Sequence, residues 1–175
     1  MHLSRSSSAP PEVVYDLLAD LGTHLTWAGT RQTNDFRLLS LDAPAGPATV
    51  GTTFNSTGTI PMSSQQWVDQ SNVTAAERPN TFEFVTTATT RGARRSMEAT
   101  YRHRYEIEAT PGGSKVSYTM TQLAASNPML RLGLPMVREL TWRLGIPFMA
   151  GRGFRNLVAF AEQRAHSESL AGSTR

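Results

Sequence analysis

At 175 residues, 39% hydrophobic and 18% charged, the chain has the size and composition of one globular domain with a real core, not of a disordered segment. Its lack of cysteine excludes disulfides, thiolate catalysis and cysteine-based metal sites. A net charge of +3, with scattered arginines and no basic stripe carrying interleaved aromatics, argues against a nucleic-acid surface.

In chain order, residues 2–8 alternate and predict a first strand. Ala9-Pro10-Pro11-Glu12 opens a helix, because proline is tolerated in the first turn and an acid there suits the helix dipole. Val14, Leu17, Leu18 and Leu21 follow at helical spacing as one apolar stripe, with Gly22 as its stop. A short helix or turn carries His24, Leu25 and Trp27 and ends near Gly29. Strands are predicted at 36–41, 51–60, 65–76 and 81–90, with a Pro/Gly loop over 43–50 and a turn at Arg78-Pro79-Asn80. After the last of these runs, Arg91-Gly92-Ala93-Arg94-Arg95 reads as a solvated hairpin tip.

The run from Met97 to Ala109 alternates almost without a break. Met97, Ala99, Tyr101, His103, Tyr105, Ile107 and Ala109 share one face, and Glu98, Thr100, Arg102, Arg104, Glu106 and Glu108 share the other. This is a half-buried antiparallel strand whose inner face carries polar tips where a plain core would carry valine or leucine. Such tips need partners, which points to a cavity with water or a ligand behind the sheet. Pro111-Gly112-Gly113-Ser114 turns the chain into a strand over 115–123. Val116, Tyr118, Met120 and Gln122 share a face there, and Tyr118 is expected near Tyr105 or Ile107.

From Asn127 the pattern becomes helical, broken or kinked at Pro135 and Pro147 and weakened at Gly151-Arg152-Gly153. Phe154, Leu157, Val158 and Ala161 form its amphipathic last section, and residues 166–175 are expected to be a flexible tail. No apolar run is long enough to span a bilayer, and the first residues lack a signal peptide's apolar stretch, so a cytoplasmic location is expected.

Candidate chemistry centres on His103, whose ordinary pKa of about 6.5 suits proton transfer near neutrality. Tyr105, Tyr101 and Tyr118 are its neighbours, phenols that can orient a ligand or hydrogen-bond an enolate. The opposing reading is an ordinary core face with satisfied hydroxyls. The four histidines are far apart, so no metal site is expected. No dinucleotide fingerprint or nucleophile elbow is present, and no cofactor is expected.

The order strand, two short helices, six strands and a long C-terminal helix, together with residues 9–20 (Ala-Pro-Pro-Glu-Val-Val-Tyr-Asp-Leu-Leu-Ala-Asp) and Trp27 after them, resembles the START-like superfamily, also called SRPBCC or Bet v 1-like. Within it the chain looks like the polyketide cyclase/dehydrase branch, and the resemblance covers roughly residues 1–165. It implies an α+β helix-grip fold, a seven-stranded antiparallel sheet wrapped around the C-terminal helix. An apolar cavity between sheet and helix is implied with it. It further implies that Trp27, Phe54, Trp67, Phe84, Tyr101, His103, Tyr105, Tyr118, Met120 and Met136 line that cavity.

The function implied first is binding of a small hydrophobic or polycyclic ligand, lipid-, sterol- or polyketide-like. The second is a polyketide cyclase, aromatase or dehydratase using His103 and Tyr105 as acid and base. The third is a ligand-free interaction module. Residues 127–153 depart from a simple grip helix and are either a helical lid over the cavity mouth or an oligomer contact, the latter giving a homodimer.

Overall fold

The computed structural model describes residues 1–28, 37–59, 66–91, 98–126 and 146–172. The elements in order are β1 (His2–Ser7), α1 (Pro11–Ala19), a 3-10 turn (Leu21–Thr23) and α2 (His24–Ala28). Then follow β2 (Arg37–Asp42), β3 (Thr53–Thr59), β4 (Gln66–Glu77), β5 (Thr81–Arg91), β6 (Glu98–Thr110), β7 (Gly113–Ala125) and α3 (Ile146–Gly172). Strands β2 to β7 pair in sequence as antiparallel neighbours. β1 crosses to pair with β7, giving the order β1-β7-β6-β5-β4-β3-β2. This is the helix-grip arrangement.

The local reasons are those of the sequence. Pro11 stands at the first helical position of α1 with Glu12 beside it. Val14, Leu17, Leu18 and Leu21 are completely or almost completely buried. They meet the sheet through Tyr15, whose ring sits edge-on to Phe82 at 6.1 Å. Phe82, Ile107, Val116 and Leu157 complete the sealed centre of the core, each contributing on the order of 2 kcal/mol by burial. At the β6–β7 hairpin, Gly112 and Gly113 have φ of +95° and +151°. A side chain on Gly113 would run into the Ser7 carbonyl, so glycine lets the hairpin close against β1. The hairpin is then tied to the start of α1 by Ser114 Oγ, which donates to the Ala9 carbonyl at 2.8 Å.

α3 differs from its sequence expectation at both ends. Pro147 is its second residue, where a missing N–H leaves no bond unmade, so it opens the helix and does not break it. The helix passes through Gly151 and Gly153 because its buried stripe, Phe154, Leu157, Val158 and Ala161, is held in the core. Asn156 also donates to the Trp27 carbonyl of α2 at 3.2 Å. At the far end the expected tail is helical from His166 to Gly172. There the Arg164–Glu168 pair and Ser167, whose Oγ donates to the Gln163 carbonyl at 2.9 Å, favour one more turn of helix. Of the segment 127–153, residues 146–153 belong to α3. Residues 127–145, with Met136 and the expected lid or dimer contact, lie outside the described residues, as do residues 92–95 of the expected hairpin tip, whose Arg91 ends β5. Among the described residues no helix is long and apolar enough to cross a membrane.

Candidate functional site

Strand alternation and register place the predicted residues in rows on the helix-facing side of the sheet. Val73, Phe84, His103 and Met120 form one row across β4 to β7. Ala76, Phe82, Tyr105 and Tyr118 lie in the row nearer the sealed core. On the other side come Phe54, Ser71, Thr86, Tyr101 and Gln122, then Ser56, Asp69, Ala88 and Ala99. Tyr105 thus faces Tyr118 directly across the hairpin. The alternation of β6 stays intact because the extra residue between the Thr100 and Tyr101 pairings falls on β7, at the exposed Leu123.

The rings stack into a continuous ladder. Phe54 meets Phe84 at 5.4 Å, and Phe84 lies on His103 at 4.8 Å with planes only 12° apart. Tyr105 stacks on Tyr118 at 4.6 Å, and Tyr118 on Phe154 of α3 at 6.1 Å. Tyr101 sits edge-on to His103 at 6.5 Å. His103 Nδ1 and Tyr118 Oη share a 2.7 Å hydrogen bond, the donor depending on the imidazole tautomer. Offset and edge contacts of this kind add to area burial and fix ring orientation.

Burial divides the face. Phe82, Phe84, Tyr105, Ile107, Val116 and Tyr118 are buried, whereas Trp67, Asp69, Tyr101, His103, Met120 and Gln122 are half-buried. The half-buried group is where a ligand would find accessible surface with polar tips.

Burial also sets the protonation states. It pushes the His103 imidazole down to about 4, so this ring is neutral at neutral pH. It pushes the Tyr105 and Tyr118 phenols up, so both stay protonated. Proton exchange near neutrality is therefore poorly served by His103 and Tyr105. Asp69 is the group that sequence reasoning missed. Burial raises its carboxyl to about 7, against the pull of hydrogen bonds from Ser56 and Trp67. Ser56 Oγ reaches Asp69 Oδ2 only at 3.4 Å. The available signal was alternation: Trp67, Asp69, Ser71 and Val73 share one face of β4, and a carboxylate between a tryptophan and a valine on an inward face is unusual.

Trp67 lies over Gly58, its cross-strand partner. A β-carbon on Gly58 would fall 2.5 Å from Cε2 and 2.7 Å from Nε1 of the indole, so the ring needs glycine beneath it. Trp27 is placed elsewhere. It is buried at the junction of α2 and α3, its ring tilted against His24 at 4.6 Å and Nε1 donating to Thr23 Oγ1 at 3.4 Å. It shares the core with the ladder but makes none of its ring contacts. His24 is itself buried, its Nε2 bonded to the Leu18 carbonyl at 2.8 Å, and burial lowers its pKa to about 4. Among the described residues no group of histidines and acids could hold a metal ion. A separate groove of about 500 Å³ runs along α1, lined by Tyr15, Asp16, Ala48, Arg78 and Arg164, and contains none of the predicted site residues.

A family model described as polyketide cyclase / dehydrase and lipid transport matches residues 1–162. Among solved structures, the AHSA1 protein of Silicibacter pomeroyi is 17% identical, with 94% of this chain and 98% of that one covered at a TM-score of 0.62. A protein from Rhizobium leguminosarum is 16% identical, with 93% of each chain covered and a TM-score of 0.62. Ara h 8.0201 is 14% identical, with 92% of this chain and 95% of that one covered and a TM-score of 0.60. At these identities the likeness shows the Bet v 1-like fold alone. No curated protein matches the chain.

Proposed function

The chain belongs to the polyketide cyclase/dehydrase and lipid-transport family, and from that premise we propose that it binds a flat, hydrophobic, ring-containing small molecule against the helix-facing side of its sheet. The observation that supports this most is the stacked ladder Phe84–His103 and Tyr105–Tyr118, which ends in half-buried Tyr101, His103 and Met120. Stacked rings offer a flat apolar wall, and the His103 and Tyr101 tips offer hydrogen bonds at its rim. A flexible methionine at the same place accommodates more than one ligand shape. Membership of the family supports hydrophobic-ligand binding in general, and the flatness of the ladder favours fused rings over a single acyl chain.

Catalysis by His103 and Tyr105 as acid and base has less support, because burial takes both groups away from neutral pH. Their protonated phenol and neutral imidazole suit hydrogen bonding better than proton abstraction. The test is an NMR titration of the protein with tetralin and with oleate. Shifts at Tyr101, His103 and Met120 that saturate with tetralin are expected. Absence of any shift on that face up to the solubility of either compound would overturn the reading.

A further inference from the structure

We propose that Asp69 determines ligand specificity at this site by hydrogen-bonding an uncharged oxygen, keto or phenolic, carried on the ligand's ring system. This rests on the ligand-binding reading above and names the chemistry of its polar end. The placement is the first argument. Asp69 lies on the helix-facing side of β4, in the row next to Tyr101 and Thr86 and beside Trp67. Trp67 is pressed onto Gly58 and so walls one side of the carboxyl.

The second argument is incomplete satisfaction. Asp69 Oδ1 is buried and makes no hydrogen bond of ordinary geometry among the described residues, the Trp67 indole acting on the carboxyl only loosely, and Oδ2 has the long 3.4 Å contact from Ser56. Buried polar groups are normally fully paired, so a carboxyl held this loosely on a binding face has hydrogen-bonding capacity to spare. The side chain as a whole is half-buried. No salt bridge to Asp69 is present among the described residues. A carboxyl in such surroundings holds its proton up to about pH 7. It then has one O–H to give, and a ring carbonyl or phenol is the acceptor of matching charge. Tyr101 and the neutral His103 line the same face without adding charge.

The test uses three compounds with one skeleton: 1-tetralone, tetralin and 1-aminotetralin. Binding is followed by fluorescence and by the NMR signals of His103 and Met120, in the intact protein and in D69N and D69L. Wild type is expected to bind 1-tetralone about five-fold more tightly than tetralin, the size of one net hydrogen bond. D69N, whose amide still donates, keeps most of that ratio, and D69L brings it to about one, whatever its effect on tetralin affinity itself. D69L also relieves a buried polar group, so it is expected to fold, and D69N gives a second reading in case it does not. An unchanged tetralone-to-tetralin ratio in D69L overturns the proposal and leaves ligand binding standing. So does a preference for 1-aminotetralin that D69N abolishes, which would make Asp69 a carboxylate for cations. Failure of all three compounds to bind overturns the ligand reading itself, and the proposal with it.

Discussion

Replacing Asp69 by asparagine should flatten part of the pH dependence of folding stability. The carboxyl moves from an ordinary 3.8 to about 7 in the folded protein, with burial as the main cause. Between those values the folded state holds a proton that the unfolded state has released. Wild-type stability therefore falls as pH rises through that window, the reverse of a salt-bridged carboxylate. A separation of about 3 units at about 1.4 kcal/mol per unit gives about 4 kcal/mol in full, of which about 2 to 3 kcal/mol is spent between about pH 5 and pH 8. Asparagine carries no such proton. The stability of D69N relative to wild type should thus rise by that amount across the range, about 5 to 10 °C in relative Tm for a chain of this length. Urea denaturation of both proteins at a series of pH values measures it. His24, His103 and every other titrating group are common to both and cancel, and a constant offset from amide packing does not enter. Parallel stability curves for the two proteins would show that Asp69 is not desolvated in the folded state and refute the reasoning.

Three further outcomes follow from the geometry. Gly58→Val should lift the Trp67 indole off the sheet, costing about 1 to 3 kcal/mol by overpacking and red-shifting the Trp67 emission obtained as a difference from Trp67→Phe. An unchanged spectrum would mean the ring does not rest on residue 58. Tyr118→Phe removes the 2.7 Å bond to His103 and should cost about 1 kcal/mol, with a change at the imidazole nitrogens in ¹⁵N NMR; identical nitrogen shifts would deny the bond. His24, lowered from 6.5 to about 4 by burial, stabilises the fold in its neutral form. That contribution is complete above pH 6.5 and is lost as pH falls toward about 4, about 3 kcal/mol in all. An NMR titration of its ring should show no midpoint near 6.5, and a midpoint there would contradict its burial.

The strands and their order were legible because β6 alternates cleanly and turn residues bracket each run. Hairpin length placed Tyr118 near Tyr105 or Ile107, and the register pairs it with Tyr105. The ladder itself was not, because the Phe84–His103 stack depends on the register of β5 against β6, which no local pattern in either strand states. Asp69 escaped notice for a different reason. β4 reads Gln66-Trp67-Val68-Asp69-Gln70-Ser71-Asn72-Val73, polar on both faces, and its pairing shifts between Val73 and Ala75. Alternation puts Asp69 on the face of Trp67 and Val73, but Val68 on the other face and polar residues on both leave little contrast to mark that face as inward. The end of α3 was misread for want of a strong stop. The polar residues after Ala165 read as a tail, yet Ala165, Glu168, Leu170 and Ala171 are good helix formers and no proline or glycine intervenes before Gly172.

Burial acts on this face in one consistent direction. It drives His103 toward its neutral base, holds the Tyr101, Tyr105 and Tyr118 phenols in their acid form, and keeps the Asp69 carboxyl protonated up to about pH 7. The same low-dielectric surroundings that penalise each charge thus leave a wall rich in hydrogen-bonding atoms and nearly free of net charge. A charged ligand entering it would bear its own desolvation cost. An uncharged ring bearing an oxygen would trade its bonds with water for bonds to Asp69, Tyr101 or His103 while stacking on the ladder. If the proposed ligand binds there, affinity would come from the rings and selection from the few polar atoms at their rim.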